Sequence, residues 1–405
     1  MAKTKPAPAA ARKTTHGIGI LTAGGDCPGL NAAIRAVAKS CLHHGFPVIG
    51  FLDGFRGLVE NRYIPLDDRA VSGILTLGGT ILGSNRDKPH KMDMGGTVMD
   101  MTDVAIANAR RLNLDCLVCL GGNGTQKNAF RLARKGGLNV ITLPKTIDND
   151  VVRTDTCFGY DTARSIATEA IDRLHTTASS HHRVIAVEIM GHSAGWLTLG
   201  AGMAGGADVI LIPEIHYDIH AVADFLQARR HSGKRFSIIA VAEGATAIGE
   251  PGEEDEDNVD DEAEARNGGK NGKKNGKNGD KSGGKPALPR QALMIRESKV
   301  SRIVREIQSL TGIEARMTQL GHVQRGGSPT PADRVLCTRL GAMAGDLIAQ
   351  RRFNVMVAVQ GDDCVAVPLD EVAGHVRRVP VDHPWVNAAR LMGTCLGDAE
   401  SFLSR

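Results

Sequence analysis

An α/β fold built on mainly parallel sheets is what this 405-residue sequence predicts, and three features predict it. Short apolar runs of strand length alternate with amphipathic stretches of helix length from His16 onward, several of the runs end in glycine turns, and a second series begins after a polar loop near residue 150. Alternation of this kind places strands side by side and parallel, with helices on both faces. The chain is long enough for two such domains with well-buried cores.

HGIGILTAGG reads as a strand entering a glycine turn, NAAIRAVAKSCLHHG as an amphipathic helix closed by glycine, and FPVIGFLDG as the next strand. VAIANARRLN follows as a helix, LDCLVCLGGNG as a strand into another glycine turn, QKNAFRLARKGG as a helix, and LNVITLPKTIDND as a strand into a polar loop. In the second series, TARSIATEAIDRLHTTASS is a helix, RVIAVEIMG a strand, LGAGMAGGADVILIPE a helix then a strand, and FSIIAVAEGA a strand. Residues 251–286 break the pattern. Their acidic block and Gly/Asn/Lys block have almost nothing apolar to bury, so a disordered surface loop is expected. Helix and strand patterning resumes at ALMIRESKVSRIVREIQSLTG.

Composition excludes several kinds of function. A net charge of +4 and an aromatic content of 3% offer neither a basic face nor a stacking platform, so no nucleic-acid partner is expected. No apolar run approaches membrane-spanning length, and residues 1–16, expected to form a flexible tail, lack the apolar core of a signal peptide. A cytoplasmic protein without a membrane partner is expected. Cys116 and Cys119 stand in an apolar run without the turn residues of a redox or zinc pair, which predicts buried packing, no disulfides and no structural zinc.

Chemistry concentrates at the ends of the apolar runs. The turns AGGDCPG (23–29), LGGT (77–80) and LGGNGT (120–125) are read as following strands. Lacking Cβ atoms, they let backbone N–H groups approach a ligand, and a helix that starts next favours phosphate. In PKTIDND (144–150), an extended loop would turn Asp148 and Asp150 to one side, where one carboxylate takes a proton while the other holds a metal or tunes the first. Lys145 would supply a point charge for a phosphoryl oxygen. Further on, Arg183, Arg316, His322 and Arg325 are candidates to clamp a sugar phosphate, because guanidinium forks match phosphate oxygens in pairs.

Together, TAGGDCPGLNAAIR, LGGTILGSNR, PKTIDND, EAIDRLHTTASSHHR, the MG…AGW turn and LGHVQRGGSP…DR closely resemble the phosphofructokinase family, over about residues 17–249 and 292–345. GGNGT alone is shared with NAD kinases and lipid kinases, which lack the TIDND and QRGG stretches. The resemblance implies two similar Rossmann-like three-layer α/β domains with the active site in the cleft between them. Residues 17–158 plus about 325–378 would bind the phosphoryl donor, and 159–324 plus about 379–405 fructose 6-phosphate.

It also implies Mg²⁺-dependent transfer of the γ-phosphoryl group of ATP to the 1-hydroxyl of fructose 6-phosphate, a step of glycolysis. Asp148 is then the general base, Thr146 and Asp150 hold substrate and carboxylate, and Arg86 stabilises the transferring phosphoryl group. Gly24, Gly25, Arg86, Asp87, Gly121, Gly122, Asn123, Gly124, Thr125 and Lys145 would bind ATP, with Asn123 at the metal. Thr146, Ile147, Asp148, Met190, Gly191, His192, Glu243, His322 and Arg325 would bind the sugar. Arg183 and Arg316 correspond to family residues that reach the 6-phosphate from a neighbouring subunit, which implies a homo-oligomer, dimer or tetramer.

The donor is read from two positions. Pyrophosphate-dependent relatives carry aspartate at the position of Gly124, filling the space of a nucleotide α-phosphate; glycine leaves room for ATP. Lys145 is shared with the pyrophosphate and mixed-substrate branches, and the steric reading is given more weight. Asn123 stands where most relatives carry a metal-binding aspartate, and His192 where they carry arginine. The alternatives are a pyrophosphate-dependent enzyme and a non-catalytic sugar-phosphate or nucleotide sensor of the same fold.

Overall fold

The computed structural model describes residues 17–250 and 298–398. The N-terminal tail, the acidic and Gly/Asn/Lys segment, and the chain from residue 399 lie outside the described residues. Two compact units divide the chain: one holds the described residues up to Ala163 together with Arg325–Val376, the other Arg164–Gln324 together with those from Arg377.

The first unit opens with β1 (Gly17–Thr22), α1 (Leu30–His43), β2 (Val48–Phe51), α2 (Phe55–Glu60) and β3 (Tyr63–Pro65). A small hairpin of β4 (Met92–Asp93) and β5 (Val98–Met99) follows, then α3 (Thr102–Arg111), β6 (Leu114–Gly121), α4 (Asn123–Gly136) and β7 (Val140–Pro144). The boundary in sequence falls within α5 (Tyr160–His181). The second unit holds β8 (Val184–Ile189), α6 (Trp196–Ala204), β9 (Val209–Leu211), α7 (Ile219–His231), β10 (Ser237–Ala242), α8 (Lys299–Thr311) and β11 (Ala315–Gln319). The chain then gives the first unit α9 (Pro331–Ala349), β12 (Val355–Gln360) and β13 (Asp363–Pro368), and the second unit α10 (Pro384–Leu391).

The first sheet has seven strands in the order β13-β12-β7-β6-β1-β2-β3, parallel except at its two edges, where β13 and β3 run antiparallel to their neighbours. Its core includes Leu21, Phe51, Phe55, Leu117, Leu132 and Val140, all buried. Each such side chain contributes about 1.5–3 kcal/mol by leaving water. Cys116 and Cys119 lie buried in β6, where burial raises both thiol pKa values well above the usual range. The second sheet is the parallel set β11-β8-β10-β9, over a core that includes Val184, Leu211, Phe225, Ile239 and Ile303. On either side of the undescribed 251–297 stretch, Glu250 and Arg302 join in a two-point ion pair.

Two departures from the sequence reading have local causes. LGGT does not follow a strand: Ile74–Thr76 form a 3-10 turn, because Gly73 at φ 77° redirects the chain just before it. Helix α7, not anticipated from the apolar pattern, starts where the Asp218 carboxylate accepts the His220 N–H at 2.8 Å, an N-cap that precedes Val222, Phe225 and Leu226 on its buried face. Among the described residues no helix is long and apolar enough to cross a membrane.

Candidate active site

Strands β7, β6 and β1 are neighbours in the first sheet, and the order changes direction at β1, between β6 and β2. In open α/β sheets ligands bind beyond the carboxyl ends of the strands at such a switch point. The AGG turn follows β1, the GGNG turn follows β6 and the TIDND loop follows β7. Three motifs far apart in sequence thus emerge from three adjacent strand ends.

Cations crowd the first of these turns. Gly24 holds φ 84°, and a Cβ there would lie 3.3 Å from Lys145 Nζ; a Cβ at Gly25 would lie 2.6 Å from Arg325 Nη1. Glycine is what leaves them room. Lys145 is only 4% exposed and donates to the Gly25 carbonyl, while Arg325 donates to the Asp26 carbonyl at 3.0 Å. Burial pulls the Lys145 pKa down and Arg325 adds to this, against the opposing pull of Asp148 and Asp150. Cys27, in the same turn, is a buried thiol pushed up to about 12 by desolvation, which makes it packing rather than a nucleophile.

The second turn opens α4. Gly121 ends β6, Gly122 is the helix cap, and Asn123, Gly124 and Thr125 form the first turn, with no acidic side chain among them. Its positive dipole end is therefore suited to an anion. Thr125 ties this turn to the first by donating to the Ala23 carbonyl at 3.4 Å. Asn123 Nδ2 donates to the Asp150 carboxylate at 2.8 Å and to the Asp150 carbonyl at 3.3 Å, whereas Asn123 Oδ1 is buried and accepts no hydrogen bond.

The TIDND loop is not extended. Asn149 sits at φ 54°, in the left-handed region, and its side chain fastens the turn by accepting the Cys157 N–H at 2.8 Å. A turn at Asn149, rather than alternation along an extended strand, is what sets Asp148 and Asp150. Asp150 reaches Asn123, and both carboxylates act on the Lys145 ammonium. Thr146 Oγ1 accepts the Asp148 N–H at 3.0 Å, fixing the backbone that carries that carboxylate. Ile147 is 1% exposed, so its side chain belongs to the core and only its backbone can meet a ligand.

Arg86 stands exposed on the loop 77–87, which the sequence reading left unsupported. Asn31, buried in the first turn of α1, pins that loop by donating to the carbonyls of Leu77 (3.3 Å) and Gly78 (3.1 Å) and accepting the Ile81 N–H at 2.8 Å. Ser84 donates to the Gly24 carbonyl at 2.6 Å, and Gly24 donates to the Asn85 carbonyl at 2.9 Å. The Asp87 carboxylate, expected at ATP, is engaged by Arg56 and by Asn85 at 2.7 Å, and so steadies the same loop.

The second unit repeats the plan. Loop 190–195 follows β8, Glu243 follows β10 and His322 follows β11, again three adjacent strands. Glu243 Oε1 accepts the His192 N–H at 2.7 Å and the Gly191 N–H at 3.3 Å, and His192 holds φ 50°. Met190 is half-buried, and His192 and His322 are exposed. Arg183 precedes β8 and Arg316 lies opposite Ile185 early in β11, so both are at the amino-terminal end of this sheet. They share the Glu314 carboxylate, Arg183 at 2.8 Å and Arg316 at 2.5 Å, and the Arg183 bond holds the Glu314 carboxyl below its usual range. Roughly 17–20 Å of strand separates the two ends of such a sheet. Within one chain these two arginines thus stand apart from His322, in keeping with the expectation that they serve the site of a neighbouring subunit. Arg325, the fourth candidate for the clamp, belongs to the first unit at the Gly25 turn.

A family model for phosphofructokinase matches residues 17–348. The ATP-dependent 6-phosphofructokinase of Propionibacterium freudenreichii subsp. shermanii is 52% identical over 382 residues, covering 94% of this chain and 99% of its own. That of Spirochaeta thermophila is 48% identical over 392 residues, covering 96% and 99%. Among solved structures, phosphofructokinase from Saccharomyces cerevisiae matches with a TM-score of 0.68 at 27% identity, over 88% of this chain and 45% of that one. Pichia pastoris phosphofructokinase in the T-state matches with 0.71 at 27%, over 91% and 39%, so this chain spans less than half the length of either yeast chain. With the family model running through both units and relatives aligned along nearly their whole length, the chain belongs to the phosphofructokinase family.

Proposed function

We propose that the chain is an ATP-dependent 6-phosphofructokinase, transferring the γ-phosphoryl group of ATP to the 1-hydroxyl of fructose 6-phosphate and yielding fructose 1,6-bisphosphate. The observation that carries the reading is the convergence of two glycine turns, the buried Lys145 ammonium and the Asp148/Asp150 turn at adjacent strand ends of the first unit. Relatives of about half identity are named for this activity.

Asp148 takes the proton of the sugar 1-hydroxyl as the oxygen attacks, Thr146 and Asp150 holding it in line. Arg86 and Lys145 meet charge on the phosphoryl oxygens, and backbone N–H groups of the turns at Gly24–Gly25 and Gly121–Thr125 cradle the phosphates. Met190, Gly191, His192, Glu243, His322 and Arg325 hold the sugar, and Arg183 and Arg316 of a second copy hold its 6-phosphate, which the opposite-end placement of these arginines supports.

The donor set also suits Mg²⁺. Asn123 Oδ1 is a buried hard oxygen without a hydrogen bond, beside the Asp150 carboxylate. Mg²⁺ takes few protein oxygens and completes its shell with water and phosphate. Asn123 and Asp150 would hold it, and it would neutralise charge on the phosphates. Cytoplasmic glycolysis is the matching setting.

A coupled assay with fructose 6-phosphate, comparing ATP with pyrophosphate, tests the reading. Product formation with ATP is expected. Turnover with pyrophosphate alone would transfer the weight from Gly124 to Lys145, and no turnover with either would leave a sensor.

A further inference from the structure

Residues Arg377–Val379 lie beyond the stretch that the family model matches, and none of the roles above falls on them. Arg377 and Arg378 nevertheless grip the loop after β8 and the helix behind it, and Val379 grips a carboxylate that holds the same loop. The Arg377 guanidinium carbon lies 4.2 Å from the centre of the Trp196 ring, and the Arg377 carbonyl accepts the indole N–H at 3.2 Å. Arg378 Nη1 donates to the Ser193 carbonyl at 3.2 Å. The Val379 N–H is accepted by Glu214 Oε1 at 2.8 Å, and the same carboxylate receives the Gly195 N–H at 2.9 and 3.1 Å. A Cβ at Gly195 would lie 2.6 Å from Glu214 Oε2, so the carboxylate can come this close only to glycine.

The loop is thus suspended between two carboxylates. Glu243 holds Gly191 and His192 from one side, and Glu214 with Arg377–Val379 holds Ser193–Trp196 from the other. Between them His192 keeps a left-handed backbone, a conformation that persists only when its surroundings over-determine it. A loop already in place spends no binding energy on being ordered when a ligand arrives.

We propose that Glu214 and Arg377–Val379 form a positioning clamp that holds the 190–195 loop in its sugar-binding conformation, so that the segment after β13 sets affinity for the phosphorylated sugar. This rests on the reading of that loop as the sugar site. Every contact of the clamp lies within the second unit, whereas the donor residues lie in the first. The clamp therefore acts on one substrate only.

Glu214→Gln tests it: the amide oxygen can stand where Oε1 accepts both the Gly195 and the Val379 N–H, but the negative charge is lost and an amide NH2 faces the Gly195 N–H that Oε2 accepts at 3.1 Å. The KM for fructose 6-phosphate should rise about tenfold, the consequence of losing one charge-assisted bond. The KM for ATP should stay unchanged and kcat should fall by no more than about twofold on the same reasoning. Amide hydrogen exchange at Gly195 and Trp196 should quicken. Arg378→Met, which leaves Glu214 intact, should move the same two readouts less and serves if the first variant folds poorly. Unaltered exchange, quicker exchange with an unchanged sugar KM, or an ATP KM that rises in parallel would each overturn the clamp. A parent protein that binds no fructose 6-phosphate would instead overturn the functional reading, and would be seen before any variant is made.

Discussion

Asp148 and Gly124 carry the two most direct consequences of the proposed reaction. Asp148→Asn keeps the shape of the turn at Asn149 and the Thr146 bond to the Asp148 N–H, but removes the proton acceptor. Turnover should fall about 100-fold or more with little change in substrate binding, the cost of a lost general base. A variant whose kcat stays within a few-fold of the parent would remove Asp148 from that role. Gly124 is the second residue of α4, directly after Asn123 and at the positive end of the helix dipole. Gly124→Asp would set a carboxylate where the α-phosphate of ATP is proposed to lie, adding steric conflict and like-charge repulsion. ATP turnover should collapse while pyrophosphate turnover is affected less; steady-state assays with both donors decide, and unchanged ATP use would refute the steric reading. On the proposed reading Lys145, held at the Gly25 carbonyl, would serve either donor.

Among elements, the one that matters most for the chemistry is a loop with little secondary structure. The stretch 77–87 carries Arg86, and one amide on α1 makes three of the hydrogen bonds that hold it. Asn31→Ala would leave the carbonyls of Leu77 and Gly78 and the N–H of Ile81 without that partner, at a cost of about 1–3 kcal/mol for a buried group left unsatisfied. A fall in Tm should accompany a kcat loss of at least about tenfold, because a misplaced transition-state cation is costly even when substrates still bind. Calorimetry and initial rates would check this together. A lower Tm with a normal kcat would show that Arg86 is positioned by something else.

For the whole molecule, the consequence concerns the number of chains a site needs. Arg183 and Arg316 lie at the opposite end of their sheet from loop 190–195, Glu243 and His322, and the 6-phosphate contacts are proposed to come from a second copy. Mixed subunits provide the test. Asp148→Asn and Arg316→Ala preparations should each be nearly inactive at low sugar concentration. Co-refolded, they should regain a substantial part of the parent rate, because some sites would combine an intact Asp148 with an intact Arg316. Activity no greater than the sum of the separate preparations would show that each site is built from one chain.

The amino-acid sequence by itself determined the alternation of the main strands and helices, though not α7 or the β4–β5 hairpin, and the glycine turns after β1 and β6, because these depend on neighbours a few positions apart. Apolar periodicity and turn chemistry are local signals, and they are legible where local preference and tertiary packing agree. The loop 77–87 shows the limit: nothing in its composition says that Asn31, some fifty positions earlier, holds it. Glu214 was likewise invisible as a clamp, since its partners Gly195 and Val379 lie 19 and 165 positions away. The sequence did not show that Arg56 pairs with the Asp87 carboxylate, and the extended reading of TIDND overlooked the left-handed turn that the Asn149 side chain stabilises. Only the tertiary structure decided which charges share a site. Arg183 and Arg316 join Glu314 at one end of a sheet and Arg325 joins the Gly25 turn, because strand register, which places whole side chains several ångströms at a time, is set by packing across the sheet and leaves no mark on the residues next along the chain.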